Sequence, residues 1–462
     1  MRSISRHLCI FLTALQLFVL FGCQDVSRPQ SEPPTEPPTE SPTELITLPP
    51  PTDLPEVREL PHLYIVTEDG QPITSKKAYK SATLAVRGAE NPVLNVELTL
   101  QIRGRGHSSF NGDAPGDDYQ SKNSYRLKLD RAANLLGVGG SKDRDWVLIS
   151  GKFDPSGLRN YIVWALAERM GSIPYVPSCT WVHLTVNGDY RGTYTLVEQI
   201  EVERDRVHID DGRSEDPSHV GYLLEYDLRG ALAANAKRDL TYFWLPGNDS
   251  GPVWVIKSRV YDEQATAAVR AHLALCNDAI LSGERERMEQ YVDMASFVDM
   301  FILQELSKNT DVGCSSFYVQ RDVDGKLYLT APWDFDFAFG SHRDSKSPLG
   351  LIADGKDADS HPWFEFLVTQ PWFLSLVQAR MAQVKPMLDG VLQELELLCP
   401  RLEKAADQND RRWGIYGKKF STHIADQASV ALESYTEHVE FLISWTQKRW
   451  IGLDRAVRAG LS

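Results

Sequence analysis

Between Asn309 and Gly340, three carboxylates sit among residues that otherwise read as core. The segment runs Asn309-Thr310-Asp311, then Ser315-Ser316-Phe317-Tyr318, then Pro332-Trp333-Asp334-Phe335-Asp336-Phe337-Ala338-Phe339-Gly340. Aspartate is seldom buried unless it is paired or binds a metal. Acids spaced between Phe335, Phe337 and Phe339 are therefore pressed towards a cleft floor. Carboxylates there suit a divalent metal, proton acceptance from a hydroxyl, or both. Cys314 follows Asp311 closely, but a lone cysteine in such company is more simply a small buried residue than a nucleophile.

A second set of residues carries positive charge. Arg103-Gly104-Arg105-Gly106-His107-Ser108-Ser109 follows a strand pattern, Leu98 to Ile102. Glycines allow close backbone approach, arginines offer forked donors and serines add hydroxyls, a combination that suits polyphosphate. The Gly-Lys-Ser/Thr ending of a Walker loop is missing, and a tight turn with exposed arginines is the competing explanation. In Lys122-Asn123-Ser124-Tyr125-Arg126-Leu127-Lys128, alternation puts Ser124, Arg126 and Lys128 on one face and Tyr125, Leu127 and Leu129 on the other. Facing a cleft, these cations hold phosphate oxygens; facing water, they are a solvated strand. Glu198 ends the strand pattern from Tyr194. It suits a metal or a lysine, and equally an exposed edge; Glu225 and Asp227 are open in the same way.

The elements that must position these residues divide by type. Strand patterns cover Leu63 to Val66, Val96 to Arg103, Ser124 to Asp130, Trp146 to Ser150, Val182 to Val186, Gly192 to Val197, Gly221 to Tyr226 and Trp254 to Lys257. Asn187-Gly188 between two of them signals a hairpin. One helix, around Leu158 to Arg169, interrupts the strands and is stopped by Gly171. The second half reads as helices over Glu263 to Leu281, Glu286 to Lys308, His361 to Val368, Pro371 to Leu397, Leu402 to Asp410 and Phe420 to Arg458. A short strand, Lys326 to Leu329, delivers Asp334 and Asp336. Strands followed by helices make an α+β pattern, and a cleft between the two parts is a usual place for a ligand.

The 462-residue chain is 42% hydrophobic and carries a formal net charge of -14. That balance argues against generic nucleic-acid binding, which needs clustered Lys and Arg. Arg2, Arg6 and His7 precede an uncharged apolar run, Leu8 to Phe21, which fits the core of an export signal. It ends in Gly22-Cys23, so residues 1–23 read as a lipoprotein-type signal with Cys23 as the lipidated residue. Residues 24–57, rich in Pro, Thr and Glu, read as an extended linker that packs no core. The expected location is therefore outside the cytoplasm, lipid-anchored at a bacterial cell envelope, at the surface or outer membrane. The four remaining cysteines show no CxxC spacing, which makes a zinc cluster a poor reading.

Taken in order, these segments resemble the spore-coat protein H (CotH) kinase family of secreted or surface bacterial proteins. The resemblance rests on the Arg103 to Ser109 loop, the Tyr125 to Asp130 strand, Asp145-Trp146-Val147-Leu148, Asp154 to Asn160, Val186 to Tyr194, Leu196 to Ile200, Asn309-Thr310-Asp311 and Trp333-Asp334-Phe335-Asp336. It implies an atypical protein-kinase-like fold of two lobes, residues 58–260 forming the β-rich one and residues 261–462 the helical one. It implies ATP and Mg²⁺ as cofactors, and phosphate transfer to Ser/Thr hydroxyls of a surface or secreted protein. By the resemblance Asp311 is the active-site acid and Asp334 the magnesium ligand, to which Asp336 or Asn309 is added as a further ligand. Arg103, Arg105, Lys122, Arg126 and Lys128 become contacts to nucleotide phosphates, and Glu198 a cleft carboxylate. Lys122-Asn123 stands where paired lysines are the pattern, leaving Lys122, Arg126 and Lys128 as joint candidates. Two other readings stay open: a catalytically inactive kinase-like surface scaffold, and a metal-dependent hydrolase using paired carboxylates.

Overall fold

The computed structural model describes residues 60–461, apart from 113–120, 141, 212–215, 217–218, 229–240, 247–249, 260–261, 356–359 and 420. The expected signal, Cys23 and the linker lie outside the described residues. Seven strands come first: β1 (His62–Thr67), β2 (Lys80–Arg87), β3 (Glu97–Arg105), β4 (Ser124–Ala133), β5 (Asp143–Ile149), β6 (Cys179–Val186) and β7 (Asp189–Glu198). They close into a barrel in the order β1-β2-β3-β4-β5-β7-β6, with β6 returning to β1 in parallel. Alternation explains the interior. Leu98, Leu100 and Ile102 of β3, Tyr125, Leu127 and Leu129 of β4, and Trp146 and Leu148 of β5 pack together inside. Asn187 and Gly188 both have positive φ, 51° and 79°, the type I′ geometry that joins two strands tightly.

A second, five-stranded sheet runs β12-β11-β8-β10-β9. Its strands are β8 (Tyr222–Asp227), β9 (Tyr242–Phe243), β10 (Val253–Ile256), β11 (Phe317–Arg321) and β12 (Tyr328–Thr330). One face packs outward-pointing barrel residues, so that Leu223, Tyr318 and Trp333 share a cluster with Val147 and Val197. The other face, with Tyr222, Leu224 and Tyr226, packs the helices. These are α1 (Arg159–Met170), α2 (Glu263–Leu281), α3 (Arg285–Tyr291), α4 (Met294–Ser307), α5 (Pro362–Leu367), α6 (Pro371–Trp413) and α7 (Tyr435–Ala459). Among the described residues no helix is long and apolar enough to cross a membrane, and no disulfide joins Cys179, Cys276, Cys314 or Cys399.

The α+β class stands, with differences. The strand pattern did not announce barrel closure, and β2 was not read at all. The helix expected over Glu286 to Lys308 is two. Val292 bridges Leu327, and Asp293 caps α4 by accepting from the Ser296 N–H at 2.8 Å. The two helices expected on either side of residue 400 are one helix of 43 residues with Pro386 and Pro400 inside it. Both prolines lie on its exposed side, where the unpaired carbonyls reach water, while Val384, Leu388, Val391, Leu395, Leu402 and Ala405 hold the buried face.

Candidate active site

Chain geometry brings the acids together. β11 and β12 pair antiparallel, Tyr318 opposite Thr330, so the loop entering β11 and the loop leaving β12 meet at one end of the sheet. The first loop is launched by α4, whose C-cap Lys308 turns left-handed at φ 47°. Asn309 then folds back, its Oδ1 accepting from the Asp311 N–H at 3.1 Å. Asp311 is half-buried in this loop. Ser316 at its far end and Asp334 in the second loop both hold positive φ, 60° and 67°. That region is uncommon for residues other than glycine, and such strain collects at functional sites. The Ser316 hydroxyl donates to Asp334 Oδ2 at 3.4 Å, tying the loops together.

Asp336 is buried and held from the start of α1. The Asn160 amide donates to its Oδ1 at 2.5 Å, while Asn160 Oδ1 accepts from the Phe335 N–H at 3.0 Å. Arg159 Nε donates to the Ala338 carbonyl at 3.1 Å, and its guanidinium pairs with buried Asp154. Burial, then Asp334 and then Asp154 push the Asp336 carboxyl up to about 7. The donors gathered here are oxygens, two of them carboxylates, which is the set a hard divalent cation such as Mg²⁺ takes. These residues fit that ion.

The candidate cations are distributed unevenly. The Arg105 guanidinium lies over Trp333, 5.5 Å from the ring centre, within electrostatic reach of Asp336, and has no ion pair among the described residues. Arg103 sits over Tyr79 at 5.0 Å and donates to the Lys76 and Gly104 carbonyls. Arg126 is paired with Asp145 at 2.7 Å and lies 3.8 Å from Glu201. Lys128 shares that face and is exposed. Lys122 is fully buried, donating to the Ser150 and Thr193 carbonyls beside the Tyr194 ring. Burial and Arg191 push its ammonium well below the usual lysine range. Glu198 accepts from the Ser178 N–H at 2.9 Å and the Tyr175 hydroxyl at 3.5 Å. It is linked to the acid loop through Tyr175, whose carbonyl accepts from the Ala331 N–H. Thus Asp334, Asp336 and Arg105 converge on the sheet end that the Asn309 to Ser316 loop enters. Lys122, Lys128 and Glu198 are held by other partners or by solvent.

Among the described residues, Asp143, Asp145 and Glu201 form a group of three acids whose ligand atoms lie within 4.8 Å of one another, close enough for one ion. Their charge is already met by Arg126 and by Arg206, which pairs with Asp143 at 3.2 Å and with Glu201. Sequence reasoning assigned no role to Asn160, Arg159, Asp154 or Ser316. The available signal was Arg159-Asn160, two polar residues opening a helix whose next seven residues, Tyr161 to Ala167, carry no charge. A family model described as CotH kinase protein matches residues 100–450. No curated protein matches the chain.

Proposed function

The chain belongs to the CotH kinase family, and from that premise we propose that it transfers the terminal phosphoryl group of ATP to Ser/Thr hydroxyls of a surface or secreted protein. The carrying observation is the meeting of two acid-bearing loops beside one unpaired arginine: Ser316 bonded to Asp334, Asp336 held by Asn160, and Arg105 stacked on Trp333. In this reading the barrel wall and the five-stranded sheet with its helices are the two lobes, and nucleotide lies between them. Asp334 and Asp336 would hold Mg²⁺, which would offset charge on the phosphates. Asp311 orients the acceptor hydroxyl and takes its proton. Arg105 binds phosphate oxygens with a planar fork that its stacking on Trp333 keeps aimed. Export and a lipid anchor on Cys23 place this chemistry at the cell envelope, with the Pro-rich linker as spacer.

The test is transfer of labelled phosphate from ATP to a Ser-rich acceptor protein with Mg²⁺. Asp334→Ala is expected to lower turnover by at least ~100-fold, and Asp311→Asn by ~100-fold or more with ATP affinity retained. Wild-type turnover in Asp334→Ala overturns the assignment. ATP binding without transfer points to the inactive scaffold, and nucleotide-independent cleavage of phosphoesters or glycans to the hydrolase.

A further inference from the structure

One arginine is too little positive charge for the ligand just proposed, because a triphosphate brings more negative charge than one magnesium ion cancels and Asp334 and Asp336 add to it. Of the cations already considered, Lys122 is committed to backbone carbonyls, Arg126 to Asp145 and Arg159 to Asp154, and Lys128 stands exposed on the barrel wall. The sheet supplies another. Lys257 continues β10, its N–H donating to the Leu223 carbonyl at 2.8 Å. Its Nζ donates to Glu225 Oε2 at 2.7 Å. Glu225 and Leu223 alternate along β8 on the face that packs the barrel, so Lys257 stands over that face.

The two partners are held unequally. The Glu225 side chain is 9% exposed and that of Lys257 37%. Glu225 is opposite Tyr318 across the β8–β11 ladder, and the buried Tyr318 hydroxyl bonds to it. Arg105 lies within electrostatic reach of the same hydroxyl. Glu225 is thus a fixed post, and Lys257 a half-exposed ammonium with one N–H spent and two free to turn to a ligand. The ammonium end of the pair is 37% exposed, so phosphate oxygens can share it while its bond to Glu225 is kept.

We propose that Lys257, aimed by Glu225 and Tyr318, is the second cation of the phosphate clamp and grips the nucleotide from the sheet while Arg105 grips it from the barrel. This rests on the phosphoryl-transfer reading above. Lys257 is the binding residue; Glu225 and Tyr318 are positioning residues.

Titration calorimetry with Mg·ATP and with adenosine tests it on the purified protein. Lys257→Met is expected to weaken Mg·ATP binding about 10- to 100-fold, the loss of one charge-assisted contact. Adenosine affinity is expected to stay at the wild-type value. Lys257→Arg should recover part of the Mg·ATP affinity, and Glu225→Gln should raise KM for ATP with a smaller effect on kcat. Equal Mg·ATP affinity in wild type and Lys257→Met overturns the assignment and leaves the proposed function standing. Parallel loss of adenosine binding and melting temperature also overturns it, by showing a structural role. A wild-type protein that binds no Mg·ATP removes the phosphoryl-transfer reading itself, and this inference with it.

Discussion

Asn160 shows how a single side chain sets the acid centre. One amide group holds both the Phe335 backbone and the Asp336 carboxylate, so both ends of its dipole are spent on the acid loop. The acids were legible in the sequence because carboxylates among Phe and Trp stand out against their surroundings. Asn160 was not, because its partner Asp336 is 176 positions away and no local pattern encodes that contact. His438 allows a pH prediction. Neither ring nitrogen has a hydrogen-bond partner, and burial, followed by Arg159, lowers its pKa from 6.5 to about 4, with Asp154, Glu437 and Asp410 opposing. Between those values the unfolded chain binds a proton that the folded one refuses, so this residue removes stability as pH falls through that window. His438→Leu should therefore flatten the stability-versus-pH slope there by about 1.4 kcal/mol per pH unit. Urea unfolding at pH 5 and pH 7.5 checks this; an unchanged slope refutes it.

At the scale of elements, α4 is the post that carries the Asp311 loop, and α7 holds it in place. Buried Glu305 accepts from Arg449 at 2.9 Å and from the Ile352 and Ala353 N–H groups at 3.0 and 2.7 Å. Arg449 Nε donates back to the Glu305 carbonyl at 2.8 Å. Removing one partner strands the other charge in the interior. Arg449→Met should accordingly cost roughly 3–5 kcal/mol in denaturant unfolding, and Glu305→Gln/Arg449→Met should regain part of it. A single variant within 1 kcal/mol of wild type, on the scale set by exposed pairs, sinks this account. The elements with long periodic runs were readable: α2 falls on the expected residues, and β3, β4 and α1 nearly so. α6 was not read as one helix because proline is a strong stop signal locally, and only the buried stripe on its other side overrides it. β2 alternates Ala82, Leu84 and Val86 inward, a weak signal with a small residue among the three.

For the whole molecule, a division near residue 260 was legible only as a change from strands to helices. β11 pairs with β8 across that point, and sheet pairing is a matter of register between distant segments that composition does not carry. α6 crosses it too. Trp413 Nε1 donates to the Arg191 carbonyl at 3.0 Å, and Asn409 Oδ1 accepts from the Thr193 N–H at 3.2 Å. Barrel and helices should unfold in one transition, with far- and near-ultraviolet circular dichroism superimposing; two separated transitions contradict this. The same pairing has a consequence in time. β8 gains β10 early but lacks its other neighbour until β11 has been made, and the Ser156 carbonyl awaits Tyr435, 279 positions later. Contacts of such sequence separation form slowly. Asp336 likewise meets Asn160 only after most of the chain exists. A polypeptide cut short before α7 thus carries Asp311, Asp334 and Asp336 but lacks the Tyr435 and Arg449 contacts that hold the elements beneath them.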